Sequence, residues 1–178
     1  MSKESAAEKK WVFSFTEGDG KNKKLLGGKG ANLCEMTQIG LNVPPGFVLT
    51  TEACLQYLAE GSDELAAGVM DQVREQMRAV EQATGKGFGN AKATLLVTVR
   101  SGSAMSMPGM MDTILNFGLN NETLEGVTEQ TGDARFGYDA YRRFIQLFGK
   151  VALGVPDELF DEQFEAVKQR AHVTEDVR

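Results

Sequence analysis

Lys29 stands within a glycine-rich turn, and this is the first group of residues that could do chemistry. Gly27, Gly28 and Gly30 surround it, and the apolar residues that follow recur at helical spacing as far as Gly40. Glycines let backbone N–H groups approach an anion closely, and a helix N-terminus and a lysine both add positive charge. The pattern predicts a phosphate-binding turn, although it matches neither a Walker A loop nor the dinucleotide fingerprint. A tight structural turn with a solvated lysine remains the alternative.

A second group of candidate residues follows the β-branched run 95–99. This run predicts a buried strand that ends at Arg100 and continues into Ser101 and Gly102. An arginine at a strand end can bind a phosphate through two hydrogen bonds, and the serine and glycine add hydroxyl and amide donors. The alternative is an arginine held in a structural salt bridge. Two anion-binding features in one small chain favour a nucleotide site.

A methionine-rich segment comes next in the chain. Four of the eight methionines fall within residues 105–111, around Pro108 and Gly109. Methionine clusters form adaptable packing surfaces, and Pro-Gly is typical of a loop. We expect a loop that covers a substrate; a hydrophobic plug beneath the helical part of the chain is the alternative.

The remaining reactive side chains do not assemble into a site. His172 is the only histidine and is expected to be solvated, while Asp112 is expected to serve a turn rather than a metal. Cys34 and Cys54 lie in apolar contexts, which predicts reduced thiols in the core. We assign no metal ligand in this chain.

Composition limits the possible classes of protein. The chain has 178 residues, of which 42% are hydrophobic and 25% are charged, and these values are typical of a folded globular protein. The net charge of −6 argues against nucleic-acid or anionic-membrane binding, both of which require a basic surface. The longest apolar run is far shorter than the roughly 18 residues of a membrane helix, and no secretory leader is visible. We therefore expect a cytoplasmic protein, with an organelle matrix as the alternative if a targeting segment has been removed.

The elements that must position these residues alternate between strand and helix. Alternating apolar and polar residues predict a strand with one apolar face at 11–15, and further strands are predicted at 47–50, 95–99 and 113–117. Helical periodicity predicts helices at 31–40, at 52–60 behind a Thr51 cap, and over about five turns after a Ser62 cap, with a stripe from Leu65 to Val80. Further helices are predicted at 121–130, at 134–153 and after Pro156.

The order of these elements predicts an α+β fold. We expect a polar tail at 1–10, an α/β lobe at 11–118 and an all-helical subdomain at 119–178. The last of these is expected to be truncated.

Six blocks of sequence carry a resemblance to a known family. They resemble, in the same order, the N-terminal region of the pyruvate, phosphate dikinase family: LLGGKGANL at 25–33, VPPGF at 43–47, TTEAC at 50–54, VRSG at 99–102, SMPGMMDT at 106–113 and YRRF at 141–144. The phosphoenolpyruvate synthases and other water dikinases share GGKG and RSG but differ at SMPGMMDT. That block favours the phosphate-using dikinase; a water-dependent relative and a non-catalytic nucleotide-binding fragment are the alternatives.

The resemblance implies a fold and a reaction. It implies the first lobe of an ATP-grasp-like nucleotide-binding domain, followed by the start of a helical subdomain. The family converts ATP, phosphate and pyruvate to AMP, pyrophosphate and phosphoenolpyruvate through a phosphohistidine on a swivelling domain, which lies outside this chain. The full-length protein is expected to be a homodimer, and the chain alone is expected to be inactive.

The resemblance also implies roles for individual residues. Arg100 would be catalytic, because it would stabilise the transferring phosphoryl group, and Lys29 would contact the nucleotide phosphates. The cofactor-binding set is completed by Gly28, Gly30, Ser101, Gly102, Met107 and Gly109. Magnesium would enter with ATP, on protein ligands that are not in this chain.

Overall fold

The structure is a computed structural model that describes residues 9–61, 64–102 and 112–173. It combines helices with small antiparallel sheets, which confirms the predicted α+β class. The described residues form two compact units, one of 9–61, 64–88 and 101–102 and the other of 89–100 and 112–173. In these ranges no helix is both long and apolar enough to cross a membrane. The domain ranges 1–10, 11–118 and 119–178 stay predictions.

The first unit is built around a short antiparallel strand pair. Strand β1 (Val12–Ser14) pairs with β2 (Phe47–Leu49), with Val12 opposite Leu49. Three helices, α1 (Lys23–Gln38), α2 (Thr51–Glu60) and α3 (Val69–Thr84), and strand β3 (Gly87–Phe88) complete the unit. The strands predicted at 11–15 and 47–50 and the helix predicted at 52–60 are confirmed.

The prediction of one apolar face on the first strand is wrong. Val12 is only 1% exposed and packs with Trp11, Ala53 and Val69, whereas Phe13 packs on the other side against the core of α1. Successive residues of a strand point to opposite faces, so β1 lies between two apolar clusters. A strand covered on both faces loses the alternation of apolar and polar residues.

Two predicted helix starts also differ from the structure. The cap of α2 is Thr50, which has an extended backbone and whose buried hydroxyl accepts the N–H of Ala53 at 3.3 Å, while Thr51 is the first helical residue. Helix α3 begins at Val69 because Gly68 has a φ of 82°, which a right-handed helix cannot contain. Leu65 therefore precedes the helix, and the predicted cap Ser62 lies outside the described residues.

The two cysteines have different environments. Cys34 is buried in α1, and burial raises the pKa of its thiol, so it is a protonated core residue as predicted. Cys54 is exposed on α2, and its predicted core position is wrong. Its neighbour Ala53 occupies the buried side of the helix instead.

The second unit is a strand hairpin packed on helices. Strand β4 (Thr94–Leu95) precedes β5 (Val97–Arg100), which pairs antiparallel with β6 (Thr113–Phe117). Helices α4 (Asn121–Thr131), α5 (Ala134–Leu153) and α6 (Asp157–Arg170) follow and confirm the three predicted helices. The Phe117 ring lies 5.8 Å from that of Phe144 and 6.1 Å from that of Phe148, which attaches β6 to α5.

The buried strand predicted at 95–99 is wrong in part. The run is divided between β4, which is buried, and β5, in which Val99 is 45% exposed. Helix α5 packs against β6, so β5 is the outer strand of the hairpin. Its β-branched residues reflect strand propensity rather than burial.

Candidate nucleotide site

The glycine-rich turn lies inside a helix rather than before it. The helix starts at Lys23, where the Asn22 side chain accepts the N–H of Leu25 at 3.1 Å. Gly27 then leaves the helical region, with φ 68° and ψ 165°, and the helix restarts behind it. The predicted glycine turn is confirmed at this residue. Because the break interrupts the ladder of backbone hydrogen bonds, the N–H groups of Gly28 and Lys29 lie at a new helix N-terminus.

Packing between α1 and β2 fixes the position of this turn. A Cβ atom built on Gly30 would lie 2.7 Å from Val48 Cγ1, closer than real side chains approach. The buried residues of the same helix, Leu26, Ala31 and Cys34, pack with Val48 in one cluster. Gly30 therefore has a packing role, and its predicted cofactor contact stays a prediction.

The loop before α1 is held by a side chain that sequence reasoning missed. Gln38 Nε2 donates to the carbonyl oxygens of Gly18 at 2.7 Å, Phe15 at 3.3 Å and Thr16 at 3.4 Å. Gly18 lies so close to the helix that a Cβ atom would approach Cys34 Sγ to 2.5 Å. The only sequence signal was the presence of glycines in a polar loop, which did not identify the glutamine that binds it.

The structure brings together residues from the two predicted anion-binding groups. Lys29 Nζ donates to the carbonyl oxygen of Ser101 across 3.5 Å, and the two residues are 72 positions apart in sequence. Lys29 is half-buried, whereas Ser101 and Gly102 are exposed. An ammonium group has three donors, so this contact orients Lys29 and leaves donors for an anion.

Arg100 ends β5 opposite Thr113 and is exposed. Within the described ranges, its guanidinium takes part in no ion pair or side-chain hydrogen bond. The structural salt bridge considered for Arg100 is therefore absent from this part of the chain. Met107 and Gly109, also predicted to bind the cofactor, lie outside the described residues.

No metal centre is found among residues 9–61, 64–102 and 112–173, where no three His, Cys, Asp or Glu side chains form a group that could hold an ion. His172 and Asp112 are both exposed. The described residues therefore do not fit a magnesium site of their own.

The fold and these side chains define a mixed α and β protein with a cationic turn suited to an anionic ligand. Residues 23–71 match the family model described as "Pyruvate phosphate dikinase, AMP/ATP-binding domain", and this range contains the whole glycine-rich turn. The chain matches the N-terminal, AMP/ATP-binding region of pyruvate, phosphate dikinases, in agreement with the resemblance carried by the six sequence blocks.

Similar proteins agree over most of this chain. The pyruvate, phosphate dikinase of Entamoeba histolytica is 57% identical over 157 residues, which are 88% of this chain and 18% of that protein. The enzyme of Clostridium symbiosum is 48% identical over 92% of this chain and 19% of its own length. The chloroplastic pyruvate, phosphate dikinase 1 of Oryza sativa is 51% identical over 90% of this chain and 17% of its own length. The chain thus spans less than a fifth of the length of these relatives.

Proposed function

We propose that this chain is the N-terminal ATP-binding part of a pyruvate, phosphate dikinase. The observation that carries the proposal is the contact between Lys29, at the restarted helix, and the Ser101 carbonyl in the RSG block. The similarity to named dikinases supports the same activity. We extend the proposal to an ATP-grasp-like lobe at 11–118 and a helical subdomain at 119–178.

The chemistry that this site would perform is positioning and charge neutralisation. Phosphoryl transfer leaves little covalent work for the protein, so cationic side chains and backbone N–H groups do most of it. Lys29 and the N–H groups of Gly28 and its neighbours bind the nucleotide phosphates. Arg100 neutralises the transferring phosphoryl group, for which an arginine with no ion-pair partner among the described residues is well suited. Gly30, Ser101, Gly102, Met107 and Gly109 complete the set of residues that we propose to bind the nucleotide.

The rest of the proposed reaction involves parts of the protein beyond this chain. The phosphohistidine, its swivelling domain and the ligands of the magnesium that accompanies ATP belong to the full-length dikinase, which we propose to be a cytoplasmic homodimer. Phosphate and pyruvate are the further substrates. The 178-residue chain alone performs no complete turnover.

The role of Arg100 is tested by substitution in the full-length enzyme. Arg100→Ala should slow label transfer from ATP to the histidine by about 100- to 1,000-fold, the usual cost of removing one preorganised charge-stabilising donor. Arg78→Ala is the matched control, because Arg78 is exposed on α3 and outside the proposed site. A normal rate in Arg100→Ala would contradict the proposed role.

The acceptor is tested by omitting phosphate. AMP formation by the full-length enzyme should require added inorganic phosphate. AMP formation at an undiminished rate without phosphate would instead assign the chain to a water-dependent relative.

A further inference from the structure

The hairpin that carries Arg100 contains an irregularity in β6. Val97 pairs with Phe117 and Val99 pairs with Ile114, so β5 advances by two residues where β6 advances by three. The extra residue is a β-bulge, and it coincides with Asn116, whose φ is 57°.

The bulge decides which side chains of β6 face α5. Residues three apart in a regular strand point to opposite faces. Ile114 and Phe117 are three apart, yet Ile114 is only 7% exposed and Phe117 packs on the rings of α5. Leu115 lies between them and is 42% exposed. The bulge therefore places both apolar residues on the side of α5.

The same bulge lets Arg100 and Ile114 lie on opposite faces of the hairpin. Arg100 pairs with Thr113, which neighbours Ile114 and therefore points to the opposite face of the hairpin. If β6 were regular and Phe117 stayed opposite Val97, Arg100 would pair with Ile114. One of these two side chains would then be on the wrong face, because paired residues share a face.

Asn116 has the properties that this position requires. A left-handed φ is unfavourable for most side chains, is strongly so for β-branched ones, and is tolerated by asparagine and glycine. Its Nδ2 atom also donates to the carbonyl oxygen of Ala140 in α5 at 3.5 Å. Its own carbonyl oxygen accepts the N–H of Leu119 at 3.2 Å, which starts the turn after the strand.

We propose that Asn116 is a positioning residue for Arg100: its left-handed conformation fixes the hairpin register that presents the guanidinium on the face opposite α5. The inference rests on the proposed function for the role of Arg100, but the register that it concerns is observed independently of activity.

The test measures register and phosphoryl transfer in the same full-length protein. Methyl groups of valine and isoleucine are labelled for NMR, and the contact between the paired Val99 and Ile114 reports the register. Asn116→Gly keeps the left-handed conformation and should keep the methyl contact, with label transfer within about twofold of the parent. Asn116→Val should lose the contact, and its kcat for label transfer should fall about 100-fold, because a misplaced catalytic group costs that much. Its KM for ATP should change little.

Leu115→Val is the matched control, because it adds a β-branched residue at the neighbouring exposed position without a left-handed φ. It should change neither readout. If Asn116→Val does not fold, Asn116→Ala replaces it in the test. This variant should lower the rate of label transfer about tenfold, because the left-handed conformation is less favourable for alanine by about a factor of ten in population.

Three outcomes would overturn the inference. An intact methyl contact in the valine and alanine variants would show that Asn116 does not set the register. A lost contact with normal transfer would show that the register does not position Arg100. Normal transfer in Arg100→Ala would contradict the proposed function and the positioning role with it, while the methyl contact would still report whether Asn116 fixes the register.

Discussion

At Gly30, α1 approaches β2 so closely that an added Cβ atom would lie 2.7 Å from one methyl carbon of Val48 and 3.0 Å from the other. The neighbour of this glycine in sequence is Lys29, so the helix position that sets the contact with Val48 also sets the position of the ammonium group. At the scale of single residues, a packing requirement and a binding requirement therefore share one turn of helix.

Gly30→Ala should destabilise the protein by about 1–3 kcal/mol, because the new methyl group overpacks the contact with Val48. Urea unfolding measures the change. Gly102→Ala is the control: none of the described residues has an atom within 4 Å of its Cβ position, so its effect should stay within about 0.5 kcal/mol. Equal stability of the two variants would show that α1 can move away from β2 at little cost.

Some single residues of the site could be predicted from sequence and others could not. The glycines around Lys29 predicted the turn because glycine is the residue type that a positive φ favours. Gln38 could not be predicted, since its three acceptors lie 20 to 23 positions away and nothing in a lone glutamine indicates them. The contact of Lys29 with Ser101 had no local signal for the same reason.

At the scale of elements, Gln72 attaches helix α3 to strand β1. Its Oε1 atom accepts the N–H groups of Trp11 at 2.7 Å and Val12 at 3.2 Å, and its Nε2 atom donates to the Lys9 carbonyl oxygen at 2.9 Å. Trp11 and Val12 are buried, so their N–H groups depend on a protein partner.

Gln72→Ala should lower the free energy of unfolding by about 1–3 kcal/mol, because the backbone N–H groups of Trp11 and Val12, at the start of β1, lose their acceptor. Denaturant unfolding monitored by Trp11 fluorescence would report the loss. Gln82→Ala, at an exposed position of the same helix, should leave stability unchanged. A neutral effect of Gln72→Ala would mean that water replaces the side chain at this strand.

Helices α5 and α6 are joined by a polar network near the turn between them. Lys150 donates to Asp157, and Gln146 Nε2 donates to the same carboxylate at 3.3 Å. The hydrogen bond from Lys150, followed by that from Gln146, lowers the pKa of Asp157, and the same pairing raises the pKa of Lys150.

The sign of each pKa shift determines the pH range of this contribution. The lowered pKa of Asp157 means that its contribution is present above the unfolded pKa and is lost as pH falls through the folded one. The raised pKa of Lys150 means that its contribution is present below the unfolded pKa and is lost as pH rises through the folded one. Carboxyl chemical shifts should show the pKa of Asp157 rising toward its usual value in Lys150→Ala. An unmoved Asp157 pKa would contradict the pairing.

The elements differ in how well the sequence predicts them. Helix α5 was predicted at its observed bounds from its apolar period and the break at Gly132 and Asp133, and the structure adds Asp133 as its N-cap and Gly154 as its C-cap. The start of α3 was not predicted correctly, because the left-handed Gly68 interrupts an apolar stripe that continues on both sides of it. The bulge at Asn116 was missed because it depends on a cross-strand pairing that no local pattern records.

At the scale of the whole molecule, the net charge is −6, yet the proposed ligand is an anion. The two statements agree because the cationic groups are local: the turn around Lys29 belongs to the first compact unit, and Arg100 ends a strand of the second. The charge and hydropathy of the chain were readable from composition. The identity of the ligand came instead from the order of short motifs and from similarity to dikinases.

The central claim is that Lys29 binds the phosphates of ATP in a dikinase, and single-turnover transfer of label from ATP to the histidine of the full-length enzyme tests it directly. Lys29→Ala should lower the transfer rate by at least about 100-fold, as loss of a preorganised cationic donor does. Lys86→Ala, an exposed lysine outside the site, should transfer at the parent rate. Transfer by Lys29→Ala at the rate of the Lys86→Ala control would contradict the account.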